Sequence, residues 1–219
     1  MVDPLTALGA VKTTDEALGV VARLIGKLRA RPDVAALKLS MALDEILKSY
    51  AVVDSAFTSY ASLAIDPDGL TKSSRELLSV AGGGLRVQVD QGRGDCYKIF
   101  LIYDNYLKKW FSKVLNRDEQ REMERAFLGP GALADVDGTL FRQLGELADE
   151  LSSDAKLVLD LVFEEKYPQA RKRVWTTYQT LEPLQSAIVE STRTLITLKD
   201  EFGQLARASR LVGPRGPRR

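Results

Sequence analysis

Histidine is absent from all 219 residues, and its absence removes more chemistry than any other feature of the composition. Ser-His-Asp and Cys-His nucleophilic arrangements need an imidazole base, and zinc sites ordinarily draw on it as a ligand. A diiron bundle takes Glu-x-x-His from each of two helices, which this chain cannot supply. What remains is carboxylate chemistry and surface charge. Asp44, Glu45, Asp54, Asp149, Glu150, Asp160, Glu164 and Glu165 fall in helical stretches and carry the oxygens that a hard cation requires. Adjacent acids on exposed helix faces account for them more simply. No catalytic residue, metal or cofactor is therefore assigned, and the chain reads as a non-enzyme.

Gly92-Arg93-Gly94-Asp95 precedes a helical stretch, where free backbone N–H groups could receive a phosphate. It is neither a Walker A loop nor a G-x-G-x-x-G fingerprint, and Asp95 puts a negative charge where the phosphate would sit. Asp95 is instead read as a helix N-cap. Arg93-Gly94-Asp95 also spells the tripeptide of integrin ligands, a match read as chance without a sign of secretion. Cys96 is the only cysteine, so no intramolecular disulfide exists, and its place on an apolar face suits a small buried hydrophobe.

Two basic-aromatic clusters carry more weight. Lys108, Lys109, Trp110 and Lys113 close one helical stretch, and Arg171, Lys172, Arg173 and Trp175 open another. Cationic side chains beside tryptophan suit an anionic membrane surface, a nucleic-acid backbone or an acidic partner. These eight are the candidate contacts for partner or lipid. Arg207, Arg210, Arg215, Arg218 and Arg219 would attract any polyanion, and nucleic acid ranks last because it rests on them alone.

Such residues need elements to hold them, and the hydrophobic period supplies helices. The stretch 95–115 is the expected centre. Cys96, Ile99, Phe100, Tyr103, Tyr106, Leu107, Trp110, Phe111 and Val114 recur at steps of three and four, and its aromatics bury the most area per residue. Phe100 is placed in the core on this reading. Thr13 and Glu16 have capping-box spacing and open a first helix that ends at Arg31-Pro32-Asp33. A second helix spans about 33–64, with Leu39, Leu43, Ile46, Tyr50, Val53, Phe57 and Tyr60 as a heptad-like seam. Asp66-Pro67-Asp68-Gly69 is a turn, and a shorter helix follows to about Val80.

Gly82–Gly84 reads as a loop, because three glycines cost a helix roughly 3 kcal/mol. Leu85, Val87 and Val89 alternate with polar residues as an extended piece would, although Leu78, Ala81, Leu85 and Val89 also form a helical stripe. Asp118 caps a short helix to about Phe127, and Gly129-Pro130-Gly131 is a loop. Leu140, Leu144, Leu147, Leu151, Val158 and Leu161 form a long stripe that a cap at Ser152 or Ser153 would divide. Pro168 suits the start of a last helix. Its seam is Ala170, Val174, Thr177, Leu181, Leu184, Ile188, Ser191, Leu195, Leu198, Phe202 and Leu205, with a kink or short break expected near 180–182 because Pro183 lies inside it.

The whole is an all-α bundle of long antiparallel helices around the aromatic-rich helix, with one Gly-rich loop. Residues 1–211 are read as one domain, with 82–94 and 129–137 as the places a hinge would fall, and 212–219 as a disordered basic tail. Net charge is +1, which gives no global pull towards polyanions. It is uneven: 118–167 carries a net −8 and 168–219 a net +6, which suggests neighbouring segments with complementary surfaces. No signal peptide or membrane-length apolar run is present, so the cytoplasm is the expected compartment. The leading expectation is a regulatory module or adaptor that binds a protein partner, or itself, through a helical face. The alternative is a membrane-acting effector that meets anionic lipid through the two basic-aromatic clusters.

Overall fold

The computed structural model describes residues 4–25, 34–65, 78, 80–91, 99–129 and 132–211. These are helical almost throughout, with no strand among them. Helix α1 is Pro4–Ile25, α2 Val34–Ile65, α3 Gly84–Gln91, α5 Arg117–Leu128, α6 Arg142–Phe163 and α7 Tyr167–Leu211. Helix α4 begins at Ile99–Ile102, passes through a π-helical turn at Tyr103–Leu107 and continues as Lys108–Val114. A 3₁₀ turn, Leu133–Asp135, and a second π turn, Asp137–Phe141, lead into α6.

The pair α2–α7 has the most extensive contact, and α1 lies along α7. The predicted seams make these contacts. Leu39, Leu43, Ile46, Tyr50, Val53 and Phe57 are buried on α2, and Ala170, Val174, Leu181, Leu184, Ile188, Leu195, Leu198 and Phe202 on α7. Polar bonds fix an antiparallel register. Gln185 donates to Asp54 at 2.9 Å, Lys199 to Asp44 at 2.6 Å, and Ser40 to the Lys199 carbonyl at 3.1 Å. The all-α bundle is therefore as expected, but its organising element is the long pair α2–α7.

The aromatic-rich helix is only half in the core. Phe100 is 48 % exposed and Tyr106 41 %, which corrects the expectation that both are buried. The core side is Ile99, Tyr103, Leu107, Phe111 and Leu115, at a strict interval of four. An ordinary α-helix turns about 100° per residue, so such a stripe would drift about 40° per repeat. The wider π turn at Tyr103–Leu107 takes up that drift and keeps the stripe on one side. There Tyr103, Phe111 and Phe127 cluster with ring centroids 5.0–6.1 Å apart.

Several boundaries differ from expectation. Helix α1 runs through Thr13 and Thr14, whose hydroxyls donate to the Gly9 and Ala10 carbonyls and cap nothing. Asn116, rather than Asp118, caps α5, in a reciprocal capping box with Glu119. Ser152 and Ser153 do not divide α6: Ser152 donates to the Ala81 carbonyl at 2.8 Å and Ser153 to that of Asp149. Helix α7 runs unbroken through Pro183, so the short break does not occur. The turn before α7 is a Schellman motif, in which Lys166 N–H bonds to the Leu161 carbonyl and Glu165 N–H to that of Val162.

The glycine run is shorter as a loop than predicted. Gly82 and Gly83 turn the chain, Gly83 at a φ of +75° that favours glycine, and Gly84 already opens α3. Leu85–Val89 is helical, not extended. Leu85 and Val89 are buried one turn apart and Val87 is 55 % exposed, so the helical stripe prevails. Arg86 bonds to Asp90 at 2.9 Å and to Asp149 at 2.7 Å, its guanidinium lying over Gly145 where a Cβ would come within 2.8 Å. This clamp joins α3 to α6.

The turn at 66–69, the helix after it apart from its helical residues 78 and 80, Gly92–Cys96 with the Asp95 cap, and the tail 212–219 lie outside the described residues, as does the expected end of α1 at 31–33.

Candidate functional site

Four of the eight carboxylates considered for cation binding are held by cations of the protein itself. Asp44 and Glu45 meet Lys48, at 3.3 and 2.7 Å, and Glu164 meets Lys166 at 2.7 Å. Asp149 holds Arg86, and Asp54 accepts from Gln185. Lys199 is the main reason the Asp44 carboxyl is held below its usual range, against a smaller opposing effect of burial. Among the described residues, no three His, Cys, Asp or Glu side chains come together as a metal site.

The two basic-aromatic clusters sit at opposite ends of the bundle. Lys38, near the start of α2, places its ammonium 5.4 Å from the centre of the Tyr106 ring and so marks where α4 lies. The antiparallel register of α2 and α7 carries Trp175 towards the other end of α2. At a rise of about 1.5 Å per residue, the clusters are roughly 40 Å apart along α2. They form two surfaces, not one.

At the α7 end, Arg173 donates to Asp154 at 2.6 Å, and Thr177 takes the other carboxylate oxygen at 2.9 Å. Asp154 is mostly covered, so this pair is a fastening between α6 and α7 and joins the acidic segment to the basic one. Beside it runs a groove of about 550 Å³, floored by Leu147, Leu151 and Leu181, with Leu157 on its edge. Arg171 and Lys172 are exposed. Trp175 is 45 % exposed and meets Tyr178 at a centroid distance of 5.9 Å.

Trp175 opens a second stripe along α7. Residues 175, 178, 182, 185, 189, 192 and 196 follow the core seam one residue later, about 100° round the helix. Trp175, Val189 and Ile196 on it are 45 %, 40 % and 48 % exposed. Sequence reading missed Val189 and Ile196, although the same alternation of three and four, started one residue later, picks them out.

At the α4 end, Trp110 is half-buried and stacks on Phe111 at 5.7 Å, while Lys108, Lys109 and Lys113 are exposed. Burial is the main cause that raises the Tyr103 hydroxyl to about 12, with Glu124 and Asp104 adding repulsion. Tyr103 therefore stays a neutral core residue.

No protein-family model matches the chain, and no curated protein or solved structure resembles it at a significant level.

Proposed function

We propose that this protein is a non-catalytic helical interaction module that binds a protein partner, or a second copy of itself, through the outward stripe of α7. The observation that carries the reading is the doubled seam. One stripe of α7 is spent on α1 and α2, and the stripe beside it leaves Trp175, Val189 and Ile196 about half exposed. Amphipathic helices are recognised through side chains at such three- and four-residue intervals. Trp175 has the size and rigidity of an interface anchor, and Tyr178 beside it extends the same surface. Glu182 on the stripe and Glu190 and Arg193 beside it supply charges of both signs to set a register.

A photo-crosslinking residue at position 189 should trap a discrete protein adduct in cells, whereas one at Arg142 on α6 should not. Val189→Asp with Ile196→Asp should abolish self-association or the adduct while leaving the helical circular-dichroism signal unchanged. Loss of the helical signal would show that the stripe serves the protein's own fold. An unchanged adduct would remove the stripe from the interface.

A further inference from the structure

We infer that the outward face of α4 docks on bilayers rich in anionic lipid. The inference concerns a different surface from the α7 stripe and does not depend on it. The π turn that holds Ile99, Tyr103, Leu107, Phe111 and Leu115 on the core side also holds the opposite side in phase. Residues 100–101, 104–105, 108–109 and 112–113 are all exposed, pair after pair at an interval of four. Their order along the helix is apolar, then polar, then basic: Phe100 and Leu101, Asp104 and Asn105, and then Lys108, Lys109, Ser112 and Lys113.

Three features of this face fit a membrane surface. First, Phe100 and Leu101 are 48 % and 49 % exposed, adjacent and outward, an apolar pair able to enter the boundary between headgroups and acyl chains. Second, the lysines have no carboxylate partner among the described residues, whereas Lys48, Arg86, Arg142, Lys166, Arg173 and Lys199 each have one. Third, the flank carries Tyr106 and Trp110, the aromatic types favoured at the membrane interface, with the Lys38 ammonium over the Tyr106 ring. Asp104 is the single acid on the face, so its charge is +2 before Lys38 is included. The lysines fan over more than a third of a turn. Fluid headgroups can meet them without fixed spacing, whereas a folded acidic partner would have to match it.

The test is co-sedimentation of the full chain with vesicles of phosphatidylcholine alone and with about a third phosphatidylserine, at low and physiological salt. Binding is expected only to the anionic vesicles and is expected to weaken with salt. Lys108→Gln, Lys109→Gln and Lys113→Gln together should lower affinity about a hundredfold, from the contribution typical of each basic residue near such a surface. Phe100→Ser with Leu101→Ser should weaken binding at both salt concentrations, and helical circular dichroism should be unchanged in every variant. As a second readout, Phe100→Trp should gain fluorescence that brominated lipid quenches. Absence of binding to anionic vesicles at low salt would overturn the proposal. So would undiminished binding of the triple lysine variant, which would assign the attraction to the arginines beyond Leu211. Capture of an acidic protein through these lysines, without vesicle binding, would overturn it in favour of a protein partner.

Discussion

Phe100 and Phe111 are the same residue type on one helix, yet Phe100 is 48 % exposed and Phe111 only 2 %. Phe111→Ala should therefore destabilise by about 3–5 kcal/mol, the range for emptying a packed aromatic site. Phe100→Ala should cost less than about 1 kcal/mol, as a surface change does. Urea unfolding of both variants measures the contrast, and equal costs would mean that the outward face of α4 is wrongly assigned. Residue types alone could not separate the two, because both fit steps of three and four. The discriminating signal is the strict interval of four, and it acquires meaning only once a π turn is allowed for. Tyrosine burial gives a second consequence at this scale. Tyr50 is fully buried and Tyr103 nearly so, and burial raises the hydroxyl of each above its ordinary value of about 10. The neutral form is favoured in the folded state, so this stability is fully present below pH 10 and is lost as pH rises towards the folded values. Thermal unfolding should fall steeply between pH 10 and 12, and Tyr103→Phe should make the fall shallower.

At the scale of elements, the long seams were legible and the ends were not. The α2 and α7 seams could be read because a heptad-like stripe over many turns has no competing explanation. Ends depend on single side chains whose types serve two purposes. Thr13 and Glu16 match a capping box, but the Thr13 hydroxyl reaches back to Gly9 and the helix simply continues. Asn116 makes the box that Asp118 was expected to begin. The turn between α6 and α7 hides its requirement entirely, because its left-handed position is filled by Glu165, at φ 60°. Glycine is usual there, since a Cβ is strained in that conformation. Glu165→Gly should therefore stabilise by about 1 kcal/mol, with the gain in the unfolding midpoint as the measure. A loss would mean that the Glu165 side chain contributes more than the strain it imposes. In the two basic-aromatic clusters Lys108, Lys109, Lys113, Arg171 and Lys172 are exposed, as charged side chains on helices are whether or not they meet a partner. Their separation was not legible, because it follows from the register of α2 against α7.

Across the whole molecule, the acidic and basic segments do meet. Arg173 and Asp154 join them, while the remaining charge stays mostly at the surface, where individual pairs contribute little. The α7 stripe and the α4 face point to separate attachments, so variants at Val189 or Ile196 should not alter vesicle binding. Nor should the lysine variants alter the α7 adduct. The position of α7 has a consequence in time as well as in space. It is the last of the described helices, yet its seam covers the apolar faces of the first two, including Leu18, Val21, Ile46 and Tyr50. A ribosome adding 5–20 residues per second needs roughly 7–30 s to pass from the end of α2 to the end of α7. During that interval the emerging chain carries the sticky sides of α1 and α2 without their native cover. Newborn copies are therefore the ones most in need of a chaperone until α7 has emerged to cover α1 and α2.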